Sequence, residues 1–175
     1  MIHKIKDKTP NIDPTAFIAW NAEVAGGVVI GKNVSVWFSA TIRADIAEIS
    51  IGDNSNIQDN AVIHIENNIP CIVEDNVTVG HNAILHSCTI KEGSTVGMGA
   101  IVLNNAVIGK NCMVGAGALV TQGKIFPDNS LILGSPAKFI REMTTEEIEA
   151  MKKNTAQYVT EGQCAKTDYT EITTC

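Results

Sequence analysis

Large aliphatic residues recur at every sixth position along most of the chain. Ile18, Val24, Ile30, Val36 and Ile42 make a first run, Ile51, Ile57 and Ile63 a second, and Val73, Val79 and Leu85 a third. The fourth run is Ile90, Val96, Val102, Ile108, Val114, Val120, Phe126 and Ile132, and it keeps the period without a slip. Small or β-branched residues often stand four places later, as at Ala22, Val34, Ala40, Ala61, Ala83, Ala100 and Ala106. Glycine commonly follows the aliphatic directly, as in Ile30-Gly31, Val79-Gly80 and Val96-Gly97.

A hexapeptide period is the signature of a parallel β-helix. Each unit is a short strand and a corner: the aliphatic points inward, its neighbours point outward, and a small residue lets the chain turn. Three units close a triangular coil, and coils stack at the inter-strand spacing of ~4.8 Å. Each coil buries the next, so no helix is needed to cover the strands. A β-sandwich of short, evenly spaced strands has no reason to hold this period from Ile18 to Ile132. The expected fold is all-β, a β-helix over residues 16–137.

The period breaks in three places. Ile42 to Ile51 is nine residues, three more than a unit; Ile63 to Val73 is ten, four more; Leu85 to Ile90 is five, one fewer. Insertions in solenoids go to loops on one side, so the extra residues are expected to bulge outward without changing the unit count. Residues 1–15 read as an N-terminal arm. Gly134-Ser135-Pro136-Ala137 is expected to break the chain away from the last coil. A C-terminal helix is expected over 138–160, with a capping box at Thr144-x-x-Glu147 and with Ile148, Met151 and Tyr158 facing the solenoid. Residues 161–175 are polar and aperiodic, and read as a loosely ordered tail.

The period converts spacing into position. Units starting at Val24, Ile42, Ile63 and Leu85 share one face, so Arg43, His64 and His86 point outward from it on successive coils. A second face carries Ile57 and Val79, and two places beyond them Asp59 and His81 are stacked. Three of the chain's four histidines thus fall between residues 64 and 86. A lone outward histidine is ordinarily a solvated surface residue, but a cluster on a rigid β scaffold points to a metal. Imidazoles on adjacent coils can share one zinc, whose bonds to nitrogen are ~2.0–2.1 Å. His81 would struggle to reach the His64–His86 pair around the corner, and a neighbouring subunit could present it instead. Triangular prisms around a three-fold axis would form three such sites in a homotrimer.

Composition narrows the function classes. The length of 175 residues suits one domain, and a net charge of −6 argues against nucleic acid as a partner. No stretch is long and apolar enough to span a membrane, and the N-terminus lacks the apolar core of a signal peptide, so a cytoplasmic location is expected. Cys71, Cys88, Cys112, Cys164 and Cys175 form no CxxC pair and read as reduced thiols.

Several segments together resemble one family. They are Ile42-Arg43-Ala44-Asp45, Asn56-Ile57-Gln58-Asp59-Asn60, His64, Val79-Gly80-His81-Asn82-Ala83-Ile84-Leu85-His86-Ser87-Cys88 and Val96-Gly97-Met98-Gly99-Ala100. The stretch is similar to the γ-class carbonic anhydrases and their bacterial γ-carbonic-anhydrase-like relatives. The resemblance implies a left-handed coil, a homotrimer, and zinc (or iron or cobalt) at each subunit interface. It assigns His64 and His86 to one chain and His81 to the next. Three histidines leave a coordination position open, and zinc there lowers the pKa of its bound water to about 7. The resulting hydroxide would attack carbon dioxide, a small-molecule substrate, to give bicarbonate.

By the same resemblance, Gln58 matches the residue that hydrogen-bonds the metal-bound water or substrate. Arg43 and Asp59 match a pair that links subunits near the site, and Asp45 belongs to that network; Arg–carboxylate pairs have the bidentate geometry for this. The chain also departs from the best-understood enzymes. Ile46 stands where they carry a glutamate directly after the aspartate. The segment Glu66-Asn67-Asn68-Ile69-Pro70 is shorter than the acidic loop that carries a second glutamate. Fast hydration requires proton export, so weak or absent carbon dioxide turnover is expected. Acyl transfer from an acyl-coenzyme A is the competing enzyme reading, because Gly134-Ser135-Pro136-Ala137-Lys138 resembles the last-coil motif of hexapeptide acyltransferases. A thioesterase and a non-catalytic trimeric scaffold are further alternatives.

Overall fold

The computed structural model describes residues 1–170 and 172. The chain winds about seven turns of a left-handed parallel β-helix and closes with a single helix. The first face is an eight-stranded sheet whose register stacks Ile18, Val36, Ile57, Val79, Val96, Val114 and Ile132 in one column. The second face stacks Val24, Ile42, Ile63, Leu85, Val102 and Val120. The third stacks Ile30, Ile51, Val73, Ile90, Ile108 and Phe126. These columns are the core, and all their members except Ile18 are buried. At about 1.5–3 kcal/mol for each fully buried aliphatic, the stacked columns are what hold the coils together.

The corners follow from residue size and backbone freedom. Ala22, Ala40, Ala61, Ala83, Ala100, Ala106 and Ala118 are buried where the chain bends. Asn33, Asn54, Asn76, Asn105, Asn111 and Asn129 take the left-handed conformation there, which asparagine tolerates better than other residues with a side chain. Their amides also pair between coils, as from Asn33 Nδ2 to Asn54 Oδ1 at 3.1 Å.

The three irregularities differ in kind. The three extra residues between Ile42 and Ile51 bulge as expected, because the register against Glu23–Ile30 jumps from Gly26–Ala44 to Val28–Ile49, but they do so within a strand and not in a loop. The strand Thr41–Ile51 runs unbroken around a corner beside the strand Glu23–Ile30, joining the second and third faces into one twelve-stranded sheet. Gly26 permits this: its φ is +82°, and a Cβ there would lie 2.1 Å from the carbonyl oxygen of Ala44. The extra residues between Ile63 and Val73 do leave the prism, in a loop closed by a bridge between Glu66 and Ile69. The short step between Leu85 and Ile90 is taken with Ser87 at φ 47°.

Both ends differ from the sequence expectation. The N-terminal arm is partly a rung: Ile2–His3 and Asn11–Ile12 pair with the strand Glu23–Ile30, and Ile12 stands beside Ile30. At the other end the chain does not leave the last coil. It reverses, and Ala137–Glu142 pairs antiparallel with Ser130–Gly134. Residues 138–142, expected in the helix, are therefore strand.

The helix spans Thr145–Asp168 behind the Thr144–Glu147 capping box, and so runs past residue 160 into the expected tail. It continues because its far end is still packed: Met151, Thr155, Gly162 and Ala165 are all buried on one side of it. Gly162 sits tight on the first face, where a Cβ would lie 2.9 Å from Ser35 Cβ. Tyr158 packs edge-on to Trp37, with ring centroids 5.8 Å apart. Of the expected tail, Glu171, residues 173–174 and Cys175 lie outside the described residues. No helix among the described residues is long and apolar enough to cross a membrane.

Candidate metal centre

His64 and His86 end the strands Val62–His64 and Ile84–His86, which pair in register so that one histidine stands over the other and Arg43 stands beside His64. Their near nitrogens, His64 Nδ1 and His86 Nε2, are 3.2 Å apart. Their outer nitrogens are already engaged: His64 Nε2 lies 3.1 Å from Asp45 Oδ1, and His86 Nδ1 lies 2.6 Å from Asn104 Oδ1. A carboxylate oxygen and an amide oxygen can only accept. A neutral ring in either position therefore carries its proton on the outer nitrogen and turns its lone pair inward. Two lone pairs facing each other repel, and a cation between them removes the conflict. Nitrogens bound to one tetrahedral zinc at ~2.0–2.1 Å stand about 3.3 Å apart, so the pair fits a shared ion.

Asp45 is suited to its place. Desolvation pushes its carboxyl up, but bonds from its own backbone N–H and from His64, with the charge of Arg43, outweigh this and hold it below the usual carboxylate range. It stays an anion that accepts from His64, the arrangement that orients metal-binding imidazoles. Arg43 forms its ion pair with Asp45 of the same chain.

His81 lies on the first face, two residues beyond Val79, and its Nδ1 is held by Asp59 Oδ2 at 2.8 Å. Gly80 lets the coils approach closely here, since a Cβ would lie 2.8 Å from Met98 N. Among the described residues, no three His, Cys, Asp or Glu side chains of one chain gather to hold a metal. His81 is thus separated from the His64–His86 pair, as the coil geometry requires. Arg43 and Asp59 do not meet within the chain either, because each has its own partner.

Gln58 is buried, and both ends of its carboxamide are bonded: Nε2 donates to Asn56 Oδ1 at 3.1 Å, and Oε1 accepts from the His81 N–H at 3.2 Å. Gln58, His81 and Tyr158 line a groove of ≈ 320 Å³ under the helix. Burial pushes the Tyr158 hydroxyl up, and the charges of Glu161 and Asp59 add to it. Ile46 is exposed. The Glu66 side chain is exposed at its loop and accepts from the Asn67 N–H. Cys88 is buried, with Sγ 4.0 Å from Cys71 Sγ, and belongs to the core.

Sequence reasoning missed Asn104. Counting rungs does not find it: the coil from Leu85 to Val102 is 17 residues, so the position in register with His86 is Leu103, one residue before Asn104. Asn104 stands one place further on and brings its side-chain oxygen to His86 Nδ1 from there.

A β-helix of hexapeptide repeats with a paired-imidazole half-site on one face and a carboxylate-held histidine on another defines the class. The family model for the bacterial transferase hexapeptide (six repeats) matches residues 87–122. A Geobacillus kaustophilus protein named carbonic anhydrase is 46% identical over 175 residues, covering all of this chain and 96% of its own length. Gamma carbonic anhydrase 2 of Arabidopsis thaliana mitochondria is 40% identical over 163 residues, covering 90% of this chain and 59% of that longer protein. The solved structure of a Bacillus cereus protein, provisionally named an acetyltransferase, superposes with a TM-score of 0.94 at 46% identity, covering 95% of this chain and 97% of that one. The chain belongs to the γ-carbonic-anhydrase-like family of hexapeptide-repeat proteins.

Proposed function

We propose that the chain works as a homotrimeric metalloenzyme that hydrates carbon dioxide to bicarbonate. Its zinc (or iron or cobalt) would be held by His64 and His86 of one subunit and His81 of the next. The observation that carries this reading is the 3.2 Å gap between two inward imidazole nitrogens whose outer nitrogens are engaged by oxygen acceptors. The curated relatives named carbonic anhydrase support the same reading. An ion bound there supplies a water acidic enough to react near neutral pH.

The chain's own residues do the rest. Asp45 and Asn104 hold the His64 and His86 tautomers, and Asp59 does the same for His81. Gln58 keeps one N–H and one lone pair free after bonding Asn56 and His81, enough to orient a small polar substrate beside the ion. Arg43, exposed beside Asp45, is placed to meet a carboxylate across the interface, and Asp59 of the neighbouring subunit is the partner we assign to it. Proton export is the weak step. Ile46 cannot carry a proton, Glu66 is turned to its own loop, and Tyr158 with its raised pKa is a donor rather than an acceptor at neutral pH. Turnover should therefore be slow and should rise with added imidazole buffer.

The test is a metal-reconstituted assay of carbon dioxide hydration run beside thioester turnover and acetyl transfer. Mixing His81→Ala chains with His64→Ala chains should restore a fraction of the sites, because some interfaces then combine intact halves. Failure of mixing to restore metal binding would reject sharing between chains. A metal-free protein that acetylates at full rate would replace this reading with acyl transfer, the activity for which the Bacillus cereus relative is named.

A further inference from the structure

The first face and the helix packed on it bury four polar side chains that a solenoid does not need for packing. Asn56, Gln58, Thr78 and Thr155 are 1, 4, 2 and 5% exposed. Their hydrogen bonds form one directed chain. Thr155, on the helix, donates its hydroxyl to the Met151 carbonyl at 3.1 Å. Only its lone pairs remain, so Thr78 must donate to it across the 3.0 Å between their oxygens. Thr78 Oγ1 then accepts from Asn56 Nδ2 at 2.9 Å. Asn56 Oδ1 accepts from Gln58 Nε2, and Gln58 Oε1 accepts from the His81 N–H. With the Thr155 hydroxyl committed to the Met151 carbonyl at one end and the His81 N–H a fixed donor at the other, each link between them takes one direction.

We propose that Thr155 is a positioning residue: through Thr78 and Asn56, the C-terminal helix decides which end of the Gln58 carboxamide faces His81. The inference rests on the reading of Gln58 and His81 as parts of the metal centre. Packing alone does not account for the chain. Alanine or valine would fill the Thr155 position without a buried hydroxyl to satisfy, and threonine is a poorer helix former than alanine. An ordered relay of amides is needed only where its far end must point one way. Without the Thr155 oxygen, the Thr78 hydroxyl seeks another acceptor. Asn56 can then turn over, and Gln58 with it, presenting its NH2 group to an N–H that requires an acceptor.

The experiment uses the full chain with Thr155→Val, which keeps shape and removes the hydroxyl, and Thr155→Ser, which restores it. The first readout is the side-chain NH2 resonance pair of Gln58 in the metal-free protein, assigned by its loss in Gln58→Ala. The second is kcat and KM for carbon dioxide in the cobalt-loaded protein. Thr155→Val should shift the Gln58 resonances and lower kcat about tenfold with little change in KM; Thr155→Ser should return both. Gln58 resonances unmoved in a folded Thr155→Val protein would overturn the proposal. If Thr155→Val unfolds the helix, Thr78→Val cuts the same link from the sheet side and is judged by the same resonances. Resonances that shift in a protein whose wild type does not hydrate carbon dioxide would uphold the relay and reject the carbonic anhydrase reading.

Discussion

Replacing Gly162 with alanine sets two effects against each other. In an exposed helix the change would stabilise by about 0.8–1 kcal/mol, because glycine loses more backbone entropy on folding. Gly162 is instead buried against the strand Ser35–Val36. A methyl there would lie 2.9 Å from Ser35 Cβ, 3.6 Å from Ser35 Oγ and 3.8 Å from Phe17 Cβ. Carbon atoms in contact prefer about 3.5–4.0 Å, so either the helix moves out by about 0.6–1 Å or Ser35 gives way. Ser35 is not free to give way, because it is buried and its Oγ accepts the Trp37 indole N–H at 3.0 Å. Overpacking of this kind costs roughly 1–3 kcal/mol. The clash should win, leaving the variant less stable by about 0.5–2 kcal/mol.

The assay is a urea titration of wild type, Gly162→Ala, Ser35→Gly and the double variant, with near-ultraviolet circular dichroism reporting on the Phe17–Trp37–Tyr158 cluster. Ser35→Gly removes the atom that clashes. Gly162→Ala should therefore cost stability with Ser35 present and recover its helix gain without it, giving a coupling of about 1 kcal/mol or more. Gly162→Ala that stabilises in both backgrounds, with no coupling, would refute the tight docking of the helix on the first face.

Three further outcomes are expected. Asn104→Ala should weaken zinc binding about 10–100-fold in a chelator competition, and unchanged affinity would remove Asn104 from the centre. Leu85→Ala should cost about 2–5 kcal/mol in chemical denaturation, because Leu85 is fully buried between Ile63 and Val102. The Glu147 carboxyl is drawn from its ordinary 4.5 down to about 2 by the Arg141 guanidinium and the Thr144 N–H. A lowered folded pKa means its contribution is present above pH 4.5 and fades as pH falls towards 2. Glu147→Gln should flatten the pH dependence of the melting temperature in that window, and an unaltered slope would sink the assignment.

What could be read in the sequence was what periodicity controls. Counting in sixes placed Arg43, His64 and His86 on neighbouring rungs and Asp59 beneath His81, and each adjacency is present in the structure. The counting succeeded because stacked coils leave little freedom along the axis. It also set His81 apart from the other two histidines. Local side-chain choices were less legible. Gln58 is bonded at both ends of its carboxamide, which depends on Asn56 and Thr78 in three dimensions. The insertion after Ile42 became strand because Gly26, in another coil, makes room for it. The helix outran its expected end because Gly162 and Ala165, small and locally uninformative, find a surface to pack on. The turn at Gly134-Ser135-Pro136-Ala137 was recognised as a break, but composition did not say which way the chain would go after it.

That turn matters for solubility. A prism built of equivalent rungs has no inherent length, since its terminal layer offers a newcomer the same unsatisfied amides that received the layer before it. Head-to-tail growth into a fibre is the natural hazard of the architecture. The reversed strand Ala137–Glu142 caps one face of that growth front. Its border carries Lys138, Arg141 and Glu142 around the exposed Phe139 and Ile140, so a second molecule meets flanking charges and the wrong strand polarity where it would need a matching template.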